Sequence, residues 1–198
     1  MNLKETLLAI VRQTLEEAPP QTLFRPEDEA AILKVKDVAL QAKEEMVKGF
    51  YDTLFSHPKT AQVFREGERP AREKTLEGWI ERTFSGPIDE EYWLLEAATG
   101  VMHLSRGVTF AQGGVMFSWI GEQVARRASS SFSPEDVLAF SLAWSKLTAL
   151  ILGVTQAAAG FAMMQAIGQG SGLEPALVQR LAAQGMSELV EGWRASLR

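Results

Sequence analysis

The sequence predicts an all-α protein. Almost every segment carries apolar residues at helical spacing, no stretch alternates convincingly as a strand, and no Asn-Gly or Asp-Gly hairpin signal occurs. Proline and glycine punctuate the chain between these segments, which separates about seven or eight helices.

The first helix is expected over Leu3–Ala18, with Leu7, Ile10, Val11 and Leu15 on one face and Pro19-Pro20 as its stop. Arg25-Pro26-Glu27-Asp28 puts a proline and acids in a first turn, opening a helix that reaches about Gln41. In Lys43–Phe55, Met46, Phe50 and Leu54 form one row, and Val47, Tyr51 and Phe55 form the next. His57-Pro58 ends it, and Lys59–Phe64 reads as a short helical turn. Gly67 and Pro70 precede Ala71–Phe84, whose inner row holds Thr75, Trp79 and Thr83; Ser85-Gly86-Pro87 closes it.

Asp89–Arg106 begins with acids and stops at Gly107 in a C′ position. Leu95, Thr99, Met102, His103 and Arg106 share a broad face of it. Thr109 to Ala128 carries Val115, Met116, Trp119, Ile120 and Val124. Ser133-Pro134-Glu135-Asp136 is a start signal, with Ser as N-cap and Pro at N1 of a helix running to about Ile167. Gly168–Gly172 reads as a flexible hinge and Glu174–Leu197 as a last amphipathic helix. With no internal repeat and no long linker, one domain is expected over 1–198. Residues 1–25 are its N-terminal helical extension, 26–168 its core, and 169–198 the hinge and extra helix.

Composition removes several functions. The 198 residues include no cysteine and two histidines, His57 and His103, so disulfides, thiol nucleophiles, Fe–S clusters and Cys- or His-rich zinc sites are excluded. The net charge of −5, without a Lys/Arg block, argues against nucleic acid. The start of the chain does not read as a signal peptide, so a cytoplasmic protein is expected. Leu147–Ile167 is uncharged and long enough to span a bilayer, but it is Ala/Gly-rich, contains Gln156 and Gln165, and continues an earlier amphipathic pattern. A helix buried in a core or a subunit interface is the preferred reading, with a membrane-associated protein as a minor alternative. Phosphate-binding loops and the GxSxG elbow are missing, and Glu/Asp pairs lie mostly on solvent faces.

His103 is then the residue that decides the chemistry. In the last turn of a helix it suits a metal ligand whose Nδ1 bonds a carbonyl near Thr99; the competing reading is a structural His or helix-dipole partner. His57, beside Pro58 at a helix end, reads as a cap or loop residue. Tyr51 offers a phenol amid apolar neighbours, either a core Tyr or a donor to a bound diatomic or anion. Thr75 is either a second pocket hydroxyl or a mid-helix Thr bonding its own i−4 carbonyl. Trp79, Met102 and Met116 are core by default and equally suit the wall of a flat apolar cofactor.

Phe50-Tyr51-Asp52-Thr53-Leu54, the run Thr75–Gly86, Ile88–Tyr92, and Thr99-Gly100-Val101-Met102-His103-Leu104 with Gly107 resemble, in this order, the globin domain of globin-coupled sensors and protoglobins. The resemblance covers roughly Pro26 to Gly168. It implies a globin-like helical sandwich with a pre-A helix, and haem b as cofactor. His103 matches the proximal haem iron ligand, Tyr51 the distal B-helix donor to the bound gas, and Thr75 a distal E-helix hydroxyl. Phe50, Trp79, Met102 and Met116 would complete the cofactor pocket. The ligand implied is O2 or another diatomic, and the G and H helices are expected to pair two subunits, giving the uncharged H-helix stretch a home.

Three departures accompany the match. The sensor motif His-Leu-Arg-Ile-Gly reads His103-Leu104-Ser105-Arg106-Gly107, a G-helix Tyr is replaced around Gly113-Gly114, and Glu174–Arg198 is too short for an output module. The expectation is a stand-alone gas-binding or gas-sensing globin, with an unidentified signalling partner left open. No turnover enzyme is expected beyond NO or peroxide side chemistry, since no reductase domain is encoded. Some sensor globins have lost haem, so the alternative is a haem-free dimeric regulatory module.

Overall fold

The computed structural model describes residues 2–196, and among these it is all helical. The helices are α1 (Leu3–Glu17), α2 (Pro26–Lys34), α3 (Lys36–Gln41), α4 (Lys43–Ser56), α5 (Pro58–Ala61), α6 (Arg69–Ser85), α7 (Glu90–Ser105), α8 (Phe110–Ala128), α9 (Pro134–Ser171) and α10 (Pro175–Ser196). The expected end of the last helix, Leu197, lies outside the described residues. The helices up to Ala158 form a globin-like sandwich.

Local chemistry fixes most starts. Asn2 caps α1 in a capping box with Glu5, Asp89 accepts from the Tyr92 N–H at 3.0 Å, and Thr109 exchanges bonds with Gln112 at the head of α8. Ser133 accepts from Asp136 N–H at 3.2 Å where α9 begins. The α7 end turns through Gly107 at φ 77°, where only glycine is unstrained.

Two expectations are corrected. The single helix from Pro26 to Gln41 is broken at Val35, which leaves the helical conformation at φ −96°, ψ 10°. The break lets Ile32, Val35 and Ala39 all reach full burial. The flexible hinge at Gly168–Gly172 is instead helical through Ser171, and only Gly172, at φ 72°, makes the turn. Gly113-Gly114 does not interrupt α8 either; the missing Cβ at Gly114 admits Leu152 of α9, which a Cβ would meet at 3.4 Å.

The chain divides into two compact units, one up to Ala158 and one from Ala159 onward. In the first, α3 and α4 pack on both α6 and α8, and α1 packs on α7. Its core is aromatic: Phe84 stacks on Trp144 at 5.4 Å, Phe140 lies 5.8 Å from Trp144, and Trp79 meets both Trp144 and Phe117. Asp28 of α2, almost fully buried, holds Lys146 of α9 through both carboxylate oxygens at 2.8 and 2.9 Å. Gly100 of α7 lets α9 approach so closely that a Cβ there would stand 2.3 Å from the Thr155 carbonyl oxygen.

The second unit contains the end of α9 and α10. Gly168 sits against the Leu173 carbonyl, Val178 is buried, and Leu181, Met186, Leu189 and Trp193 are exposed. By length and composition α9 passes the test for a membrane-crossing helix, a test that a core helix also passes.

Candidate functional site

The helices α6 and α7 run past each other without close backbone packing among the described residues. Side chains bridge them instead. Glu68, capping α6, takes the Arg106 guanidinium at the end of α7; Trp79 donates to Glu96 at 2.7 Å; Thr83 and Tyr92 share a 3.0 Å hydroxyl contact. These three pairs step in antiparallel register. The same register sets Arg72 of α6 across from His103 of α7, in the interval between the first and second bridges.

His103 is an exposed residue, and neither of its ring nitrogens bonds another described residue. The bond expected from Nδ1 to the carbonyl near Thr99 is not formed. Its pKa is nevertheless held below the ordinary imidazole value, first by burial and then by the charges of Arg106 and Arg72. The two facts agree for a ring set in the wall of a cleft, surrounded on several sides and open on one. At neutral pH the imidazole is therefore neutral, with a lone pair free to coordinate.

A cleft of about 40 Å³ opens beside it, lined by Glu96, Thr99, His103, Phe117 and Thr155 among others. It lies between α7, α8 and α9. Of the residues expected to form a cofactor pocket, His103 alone lines this cleft. Tyr51 is buried, and its hydroxyl donates to the Arg72 carbonyl at 2.9 Å, with burial pushing the phenol up to about 12. Thr75 is exposed and bonds the Ala71 carbonyl one turn back, at 3.0 Å. Phe50 sets its edge toward Trp119 at 6.3 Å, Met116 is buried, and Met102 stands exposed on the open side of α7. Trp79 reaches inward to Phe117, 5.5 Å away. His57 caps α5 by accepting from Lys59 N–H at 3.2 Å, as its position beside Pro58 suggests.

Glu96 was not anticipated. It lies on the buried face of α7 with Tyr92, Trp93, Ala97 and Gly100, and burial pushes its carboxyl up to about 7 against the opposing pull of the Trp79 bond. The signal was present: an acid placed i+4 from one buried residue and i−4 from another cannot face solvent.

The donors suit one kind of metal. No group of three His, Asp or Glu side chains able to cage a bare ion occurs among the described residues. A single neutral imidazole suits a metal that brings its own equatorial ligands, as haem does. Phe117 and Leu152 give the cleft beside His103 an apolar wall on its α8 and α9 side.

An all-helical sandwich of this kind is that of a globin. The profile of the family described as Protoglobin matches residues 14–152, and the chain belongs to that family. Its fold is similar to the globin domain of the Geobacter sulfurreducens globin-coupled sensor, with TM-score 0.62 and 21% identity over 78% of this chain and 95% of that one. It is also similar to the globin domain of E. coli DosC, solved in ferric and ferrous forms. Both give TM-score 0.55 and 15% identity, covering 78% of this chain and 97% or 98% of those. No curated protein sequence matches the chain.

Proposed function

We propose that this chain is a haem-binding globin that binds or senses O2 or another diatomic gas, with His103 as the axial ligand to iron. The observation that carries this reading is a neutral imidazole without a hydrogen-bond partner among the described residues, on a helix joined to α6 by side chains rather than by close backbone packing. Haem supplies an iron centre able to bind a diatomic, and the protein tunes it through the axial ligand and surrounding donors. Tyr51 is the donor candidate: it is a buried phenol beside α6, where its hydroxyl donates to the Arg72 carbonyl. Two subunits pair through α8 and α9, a role supported by exposed Val115, Leu138 and Leu142.

The test is reconstitution with haem. A Soret band that appears in the wild type and is lost or displaced in His103→Ala supports the reading; no Soret band under reconstituting conditions overturns it.

One observation favours a second reading, a haem-free regulatory module. Trp79 extends to both Glu96 and Phe117, and the cleft beside His103 encloses only about 40 Å³. In that reading side chains fill the slot, and the dimer surface is the functional part.

A further inference from the structure

Three polar side chains of α7 line the cleft, and all three stand on one face of that helix: Glu96, Thr99 and His103. Each keeps a polar atom unengaged. Glu96 takes the Trp79 indole N–H on one oxygen at 2.7 Å, and its second oxygen bonds no described residue. The Thr99 hydroxyl bonds no described residue, unlike Thr53, Thr75 and Thr148, which each donate to the carbonyl one turn back at 2.8, 3.0 and 2.8 Å. His103 leaves both ring nitrogens unbonded among the described residues. The free oxygens are not sealed in. Among the described residues, Arg72 Nε is the one buried side-chain polar atom without a partner, so the oxygens of Glu96 and Thr99 open onto space that water reaches. The rest of the cleft offers them nothing. Phe117 and Leu152 are apolar, Thr155 spends its hydroxyl on the Leu152 carbonyl at 3.0 Å, and Thr109 spends its own on the Gln112 N–H at 3.2 Å.

Spacing decides how the three groups meet. Glu96 and Thr99 are three residues apart, Thr99 and His103 four, and such neighbours stand about 5–6 Å apart at Cβ. A step of that size matches two hydrogen bonds of about 2.8 Å through one water. A water needs about 10–15 Å³ of cavity, and the cleft encloses about 40 Å³, enough for one water at each step. A hydroxyl accepts and donates at once, so Thr99 suits the middle of a line. The line has one direction. The His103 N–H donates to a water, that water to Thr99 Oγ1, the Thr99 O–H to a second water, and the second water to the free oxygen of Glu96.

We propose that Glu96 is a positioning residue for His103, reaching its imidazole N–H through the Thr99 hydroxyl and two ordered waters in this cleft. The opposite ring nitrogen then carries the lone pair, so the line fixes both the tautomer and the orientation of the ring. The effect on iron rests on the haem reading; the line itself does not.

Two substitutions each remove one link and conserve size: Glu96→Gln, which keeps an acceptor for Trp79, and Thr99→Val. In the haem-free protein the ring nitrogens of His103, followed by NMR, are expected to shift in the same direction in both variants. In the Thr99→Val background Glu96→Gln is expected to add nothing, because the line is already cut between them. After haem addition, the iron–histidine stretching band of the ferrous protein, read by resonance Raman, is expected to move to lower frequency in each variant, again without a further step in the double. A purely structural Glu96 would leave Thr99→Val at wild-type values. Unchanged His103 nitrogen shifts, or effects of the two substitutions that add, overturn the assignment whether or not haem binds. Haem-free shifts that follow the expected pattern, with no Soret band on reconstitution, overturn the haem reading and uphold the line through Thr99.

Discussion

Trp79 and Glu96 join two facing helices through a 2.7 Å bond from the indole N–H to a carboxylate that has no other hydrogen-bond partner among the described residues. The acid is buried at the floor of the cleft that holds His103, so its protonation belongs to the same structural unit as the candidate ligand.

A pH dependence follows from this acid. Burial raises Glu96 from 4.5 to about 7, so the unfolded chain releases this proton more readily than the folded one. The stability tied to the proton is complete below pH 4.5, is lost as the pH rises toward 7, and changes no further above it. At 1.36 kcal/mol per pKa unit the loss is roughly 3 kcal/mol. Glu96→Gln keeps an acceptor for Trp79 without titrating, so its stability should fall less between pH 5 and pH 8. Denaturant unfolding at the two pH values measures this, and an identical fall in both proteins would refute it.

Glycine substitutions should separate contact from propensity. Gly100→Ala drives a methyl into the Thr155 backbone and should destabilise by about 1–3 kcal/mol through overpacking. Gly78→Ala, exposed in the middle of α6 with nothing within 4 Å, should stabilise by up to about 1 kcal/mol. Thermal melts of the two variants should shift in opposite directions.

Lys146→Met leaves the buried Asp28 carboxylate without its cation. Breaking such a pair from one side costs about 3 kcal/mol, discounted here because the lysine is one-third exposed. The double variant Asp28→Asn/Lys146→Met should recover much of the loss, which a double-mutant cycle by urea unfolding would report.

Tyr51→Phe removes one hydroxyl bond to α6 and should cost about 1 kcal/mol of stability. On the haem reading it should also speed gas dissociation, measured by flash photolysis or stopped flow. An unchanged dissociation rate would leave the tyrosine a purely structural role.

The helices were largely legible because their ends are local chemistry. Asp89, Thr109 and Ser133 bond amides within three residues, so their neighbours in sequence suffice to place them. The break at Val35 was not legible, since it answers to burial against distant helices. His103 and Tyr51 stood out through scarcity and position. Glu96 did not, because an acid in a helix resembles a solvated surface residue until the facing helix is known. Thr75 shows the converse: its hydroxyl satisfies itself within one turn, as a mid-helix threonine ordinarily does.

Because bridging side chains rather than interlocked backbones set the distance between α6 and α7, the aperture they frame has an adjustable width. Shortening or lengthening any one of Glu68–Arg106, Trp79–Glu96 or Thr83–Tyr92 changes the gap at that level alone. At the Glu68–Arg106 end this leaves the aromatic core, to which Trp79 belongs, untouched. Single substitutions along this rim can thus regrade the gap one level at a time.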